Sequence, residues 1–76
     1  MTQAPESDLA KFIRLAEEAY SRMYDSNYPR DDRDDALIYL SKAIDLAQAQ
    51  NLTEQETALR ARYKHIFSVF NSQFRL

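Results

Sequence analysis

Five carboxylates crowd the stretch Asp25–Asp35, DSNYPRDDRDD, and acidic side chains at that density are the raw material of a cation site. A helix–loop–helix calcium loop needs oxygen ligands at alternating positions, Gly at the sixth and Glu at the twelfth. Counted from Asp25, those two positions hold Arg30 and Ala36, so the pattern fails at both. The stretch reads instead as a solvated acidic turn. Asp31, Asp32, Asp34 and Asp35 stand at the start of a helix, where the positive end of the dipole favours them, and Arg30 and Arg33 dilute their repulsion.

His65 is the one histidine. A metal would need further His or carboxylate ligands facing it, and the helix that carries it offers none at i±3 or i±4. As a base it would need a nucleophile and an orienting acid, and no such trio is visible. Cysteine and glycine are absent, which excludes a thiolate nucleophile, Cys-ligated zinc and Gly-rich phosphate loops. The sequence therefore assigns no catalytic residue, no metal ligand and no cofactor, and the chain reads as non-enzymatic.

Two surfaces remain. Arg60, Arg62 and Lys64 form a basic edge interleaved with Tyr63 and Phe67, an arrangement that could meet nucleic acid. The net charge is −2, so nothing steers the whole chain toward a polyanion. Residues 1–50 carry ten acidic and six basic side chains, and residues 51–76 two and four. Attraction between these halves, or solvation, is the plainer use of the basic edge. The second surface is aromatic: Tyr20, Tyr24, Tyr28, Phe67, Phe70 and Phe74 are more rings than one end of a small core needs. Tyr and Phe are enriched at interfaces, so the expected partner is another protein or a second copy of this chain, with nucleic acid as the alternative.

These residues must be positioned by helices. Leu9, Phe12, Ile13, Ala16, Ala19, Tyr20 and Met23 follow i, i+3, i+4, i+7 spacing, and so do Leu59, Tyr63, Ile66, Phe67, Phe70 and Phe74. Between them Asp35–Ala47, DALIYLSKAIDLA, carries Ala36, Leu40, Ala43 and Ala47 on one stripe. Leu37 and Ile44 widen it, and Ile38, Tyr39 and Leu46 extend it further round. A helix with one neighbour needs a single apolar face, so this one reads as a middle helix packed on both sides. Pro29 biases Tyr28 away from helical geometry and can itself open a helix. Thr53 followed by Glu56 is a capping-box signature.

The expectation is an all-α, three-helix antiparallel bundle, up-down-up, with helices at about 7–25, 31–50 and 54–73. Residues 1–6 form a lead, and 7–76 a single domain. Short links make neighbours antiparallel, which brings the C-terminal ends of the outer helices together and sets Tyr20, Tyr24 and Tyr28 beside Phe70 and Phe74. The start MTQAPESDLAKF lacks a basic segment followed by an apolar run, so no signal peptide is expected. No stretch approaches the length of a membrane span. The absence of cysteine fits a reducing, cytoplasmic setting.

The spacing Ala36, Leu40, Ala43 resembles the second helix of a tetratricopeptide-type repeat, in which small residues let a neighbouring helix approach closely. The layout would then be one repeat plus the first helix of another. It is also similar in length and layout to the three-helix microtubule-interacting-and-trafficking domain. Either resemblance implies a helical scaffold that binds a peptide or protein.

Overall fold

The computed structural model describes residues 6–73. Three helices run through them: α1 (Asp8–Met23), α2 (Pro29–Ala49) and α3 (Thr53–Gln73). All lie within about two residues of the expected spans. Helix α1 starts where Ser7 Oγ accepts the Ala10 N–H at 3.1 Å, an N-cap that satisfies a donor with no partner inside the helix. Helix α2 starts two residues before its expected position because Pro29 takes the first helical place, where its missing N–H costs no hydrogen bond. Ahead of it, Ser26 Oγ accepts the Tyr28 N–H at 2.9 Å and orders the link.

The second link shows how a chain without glycine turns sharply. Asn51 takes a positive φ of 58°, the left-handed conformation that Asn tolerates better than most residues. The Asn51 N–H then reaches Gln48 O (3.1 Å) and the Leu52 N–H reaches Ala47 O (2.8 Å), the paired closure of a Schellman motif. The capping box expected at Thr53 does not form. Helix α3 begins one residue earlier than that motif requires, so the Glu56 N–H goes to Leu52 O at 2.8 Å. The Glu56 carboxylate accepts from Arg60 instead.

Side-chain contacts fix the directions. Phe12 stacks on Tyr39 and Arg22 reaches Asp32, so α1 and α2 are antiparallel. Arg33 lies over Phe70, near the N-terminal end of α2 and the C-terminal end of α3, so these two are antiparallel as well. Helix α2 packs against both outer helices, as its wide apolar surface demands. Ala36, Leu40, Ala43 and Ala47 are wholly buried, with Leu37 and Ile44 nearly so. Ala16 and Ala19 of α1 are equally buried, so much of the core is built from methyl groups that allow close helix approach. Ile38 departs from expectation: it is 52% exposed, because neither outer helix reaches that side of α2.

The Cα atoms span 43 × 31 × 13 Å. A triangular bundle would have two similar short dimensions, so the three helices lie closer to a layer, with α2 in the middle. Helices α1 and α3 meet over it through long side chains. Among the described residues no helix is long and apolar enough to cross a membrane.

Candidate interaction surfaces

The six aromatic side chains singled out by spacing do not form one cluster. Tyr20 and Tyr24 sit on the side of α1 that faces α3, their hydroxyls 2.9 Å apart and their rings edge to face. The α3 residues that meet Tyr20 are Arg62 and His65, with the Arg62 guanidinium 4.9 Å from the ring centre and the His65 ring edge-on at 6.4 Å. Phe70 is only 7% exposed and lies under the Arg33 guanidinium at 4.4 Å, which makes it part of the α2–α3 seam. Tyr28 stands out at 71% exposure, Tyr24 at 49% and Phe67 at 46%. Phe74 lies outside the described residues. Residues 65 and 67 are about 160° apart around a helix of 3.6 residues per turn. Phe67 accordingly faces away from the tyrosine pair, and the expected shared end splits into two faces.

The basic edge splits for the same reason. Arg62 turns to α1 and makes a two-point contact with Glu17, at 2.9 and 2.6 Å. That hydrogen-bonded carboxylate raises the Arg62 pKa above its usual value, against the opposing effect of partial burial. Arg60 turns the other way and pairs with Glu56 at 2.9 Å. Only Lys64 shares the Arg60 side, so the three cations present no common face to a phosphate backbone. The pairing of Arg62 with Glu17 realises the attraction between the acidic and basic halves of the chain.

The tyrosine pair has its own electrostatics. The hydrogen bond with Tyr24 is the main reason that the Tyr20 pKa lies above its ordinary 10.0, and partial burial acts in the same direction. His65 is exposed. The acidic turn contributes ion pairs, Arg22–Asp32 at 3.5 Å and Arg33–Asp34 at 2.7 Å. A depression of about 600 Å³ beside it is lined by Glu18, Ser21, Arg22, Asp25, Ser26 and Asp32. Each of these residues carries a polar or charged side chain, and among the described residues no group of three or more His, Asp or Glu side chains is placed to hold a metal ion.

Spacing alone did not single out the face formed by α2 and α3 on the side away from the tyrosine pair. Three adjoining troughs there share Tyr63 as a wall. One runs to Leu37 and Ile38, one to Ile44 and Lys64, and one to Phe67. Half-buried Tyr63 thus joins exposed Ile38 to exposed Phe67 in one continuous surface. The available signal was the surplus apolar width of α2, which included Ile38. Comparison with protein-family models, with curated proteins and with solved structures finds no match to this chain.

Proposed function

We propose that this chain is a non-enzymatic protein–protein interaction module that binds through aromatic side chains of α1 and α3. The observation that carries the reading is the exposure of Tyr24, Tyr28 and Phe67 on a small domain whose other described Tyr and Phe rings are at least half-buried. Large rings held in place by a rigid helix are efficient anchors because few torsions must be frozen on binding. A helical scaffold of the tetratricopeptide or microtubule-interacting kind would use its surface in this way, and the cysteine-free composition suits a cytoplasmic setting. The nucleic-acid alternative draws no support from the placement of Arg60 and Arg62, since each already holds a carboxylate.

The test is capture from the native host. The immobilised chain is compared with a Tyr24→Ala/Phe67→Ala variant whose helicity is first verified by circular dichroism. Proteins retained by the parent and lost by the variant are the expected result. An identical retained set for both chains overturns the reading.

A further inference from the structure

The apolar pattern of α2 continues into α3 straight through the turn that separates them. Leu37, Ile44, Leu52, Leu59 and Ile66 follow steps of seven, eight, seven and seven, a mean close to the ~7.2 residues of two α-helical turns. In an unbroken helix the five would share one face. In the folded chain Leu37, Ile44, Leu59 and Ile66 are buried, and Leu52, at the turn, is left exposed. No residue of the link demands the break. From Arg30 onward the chain has neither proline nor glycine, and Ala47–Glu56, AQAQNLTEQE, is rich in helix formers. The turn is held instead by Asn51 at a φ of 58°, a left-handed conformation unfavourable for any residue that carries a Cβ. The helical ladder runs up to it from both sides, with the Gln50 N–H on Leu46 O at 3.0 Å and the Glu56 N–H on Leu52 O at 2.8 Å. Straightening would return Asn51 to right-handed geometry. It would also give the Thr53, Glu54 and Gln55 N–H groups the carbonyls of Ala49, Gln50 and Asn51, bonds that the start of a helix cannot make within itself.

What opposes straightening is the loss of α3 from α2, which uncovers Leu59, Ile66 and Phe70. A second copy removes that loss, because exchange of an identical element remakes every contact of the closed chain between chains. We propose that Gln50–Leu52 is a hinge, and that at high concentration two copies of this chain exchange α3 to form a dimer. Residues 29–73 of each copy then form one helix. The two long helices lie antiparallel about a two-fold axis that crosses them near Asn51, so α3 of each copy covers α2 of the other. Arg33 over Phe70 and Arg62 on Glu17 reform between copies, and Leu52 joins the shared apolar stripe. The tether in the closed chain gives α3 an effective concentration in the millimolar range, so the closed monomer holds at low concentration. The exchange uses the buried face of α3 and needs none of Tyr24, Tyr28 and Phe67, so it stands or falls independently of the interaction-module reading.

The experiment pairs sedimentation of the whole chain, from low micromolar to near-millimolar concentration, with a distance measurement inside one chain. The weight-average mass is expected to climb from 8.9 kDa toward twice that value. Asn51→Ala, which favours the helix and disfavours the left-handed turn, should shift the climb to lower concentration, and Asn51→Gly should shift it higher, with helicity of both verified by circular dichroism. The dissociation constants of the two variants should differ by roughly 10²-fold or more, because each dimer contains two hinges and each hinge favours Ala in the helix and Gly in the turn. The chain has no cysteine, so Arg30→Cys/Ser72→Cys takes two spin labels and no others. Both positions are exposed and lie at one end of the closed hairpin, where Arg33 meets Phe70. In the straightened chain they stand about 63 Å apart at 1.5 Å per residue. Labelled chain equilibrated with a large excess of unlabelled chain reports that distance within single chains. A long distance that grows with the dimer fraction is the expected result. A mass of 8.9 kDa at every concentration for both the parent and Asn51→Ala overturns the inference. So does a dimer whose chains keep the short distance, or one that Asn51→Gly strengthens relative to Asn51→Ala.

Discussion

The centre of the fold can be tested at Leu40. Its side chain is wholly buried, and its neighbours along the stripe are Ala36, Ala43 and Ala47, also wholly buried. Leu40→Ala removes three carbons, a transfer loss of about 2.4 kcal/mol at about 0.8 kcal/mol per buried methylene. To this is added the cost of the cavity. Alanine has no side-chain torsion with which to fill the space, so the site should relax poorly and the total should fall at roughly 3–5 kcal/mol, in the upper part of the range seen for such truncations. A chain of this length is stable by only about 4–11 kcal/mol at the usual stability per residue, so the loss is a large fraction of the whole. For a domain of this size it lowers the melting temperature by roughly 15–30 °C. The control lies on the same helix. Ile38 is 52% exposed, and Ile38→Ala should cost no more than about 1 kcal/mol, since only part of the transfer is lost and little cavity forms. Urea and thermal unfolding followed by far-ultraviolet circular dichroism measure both variants. Equal losses for the two, or a loss below about 1 kcal/mol for Leu40→Ala, would refute the placement of α2 as a spine packed on both sides.

Two further perturbations probe the seam between α1 and α3. Arg62→Gln removes the contact with Glu17 and the stacking over Tyr20 and should cost about 1 kcal/mol, a small value because both partners are partly exposed. Its coupling to Glu17→Gln, measured in a double-mutant cycle, should shrink as salt is raised, and a coupling indifferent to salt would count against an ionic link. The second concerns alkaline pH. The folded chain holds the Tyr20 proton more tightly than the unfolded chain does, so this contribution to stability is complete below the ordinary pKa of 10.0 and is lost as pH rises through the folded value. Tyr24→Phe removes the main cause of the shift, and tyrosinate absorbance should then show the Tyr20 ionisation moving down toward its ordinary 10.0. An unchanged titration would show that burial, not the Tyr24 hydroxyl, holds the Tyr20 proton.

By itself the amino-acid order determined the helices and their sequence along the chain. Helical boundaries depend on neighbours a few residues apart, and Ser7, Pro29 and the apolar spacing supply those local signals directly. The role of α2 was legible for the same kind of reason: apolar width is a property of one helix, and Ala36, Leu40, Ala43 and Ala47 display it without reference to any partner. Even there, local signals could compete, and Thr53–Glu56 lost its capping box when α3 began at Thr53 and the Glu56 N–H went to Leu52 O.

Only the tertiary structure decided which surplus apolar residues stay in water. Rotation of each helix about its own axis depends on what packs against it, and spacing cannot supply that. It sends Phe70 into the seam under Arg33 and turns Phe67 outward, although the two are three residues apart on the same stripe. The same rotation draws Arg62 across to Glu17 and leaves Arg60 on the opposite side, dissolving a basic edge that looked continuous in sequence. It also leaves Ile38 of α2 and Phe67 of α3 exposed, because among the described residues no further helix covers the side of the layer that carries them.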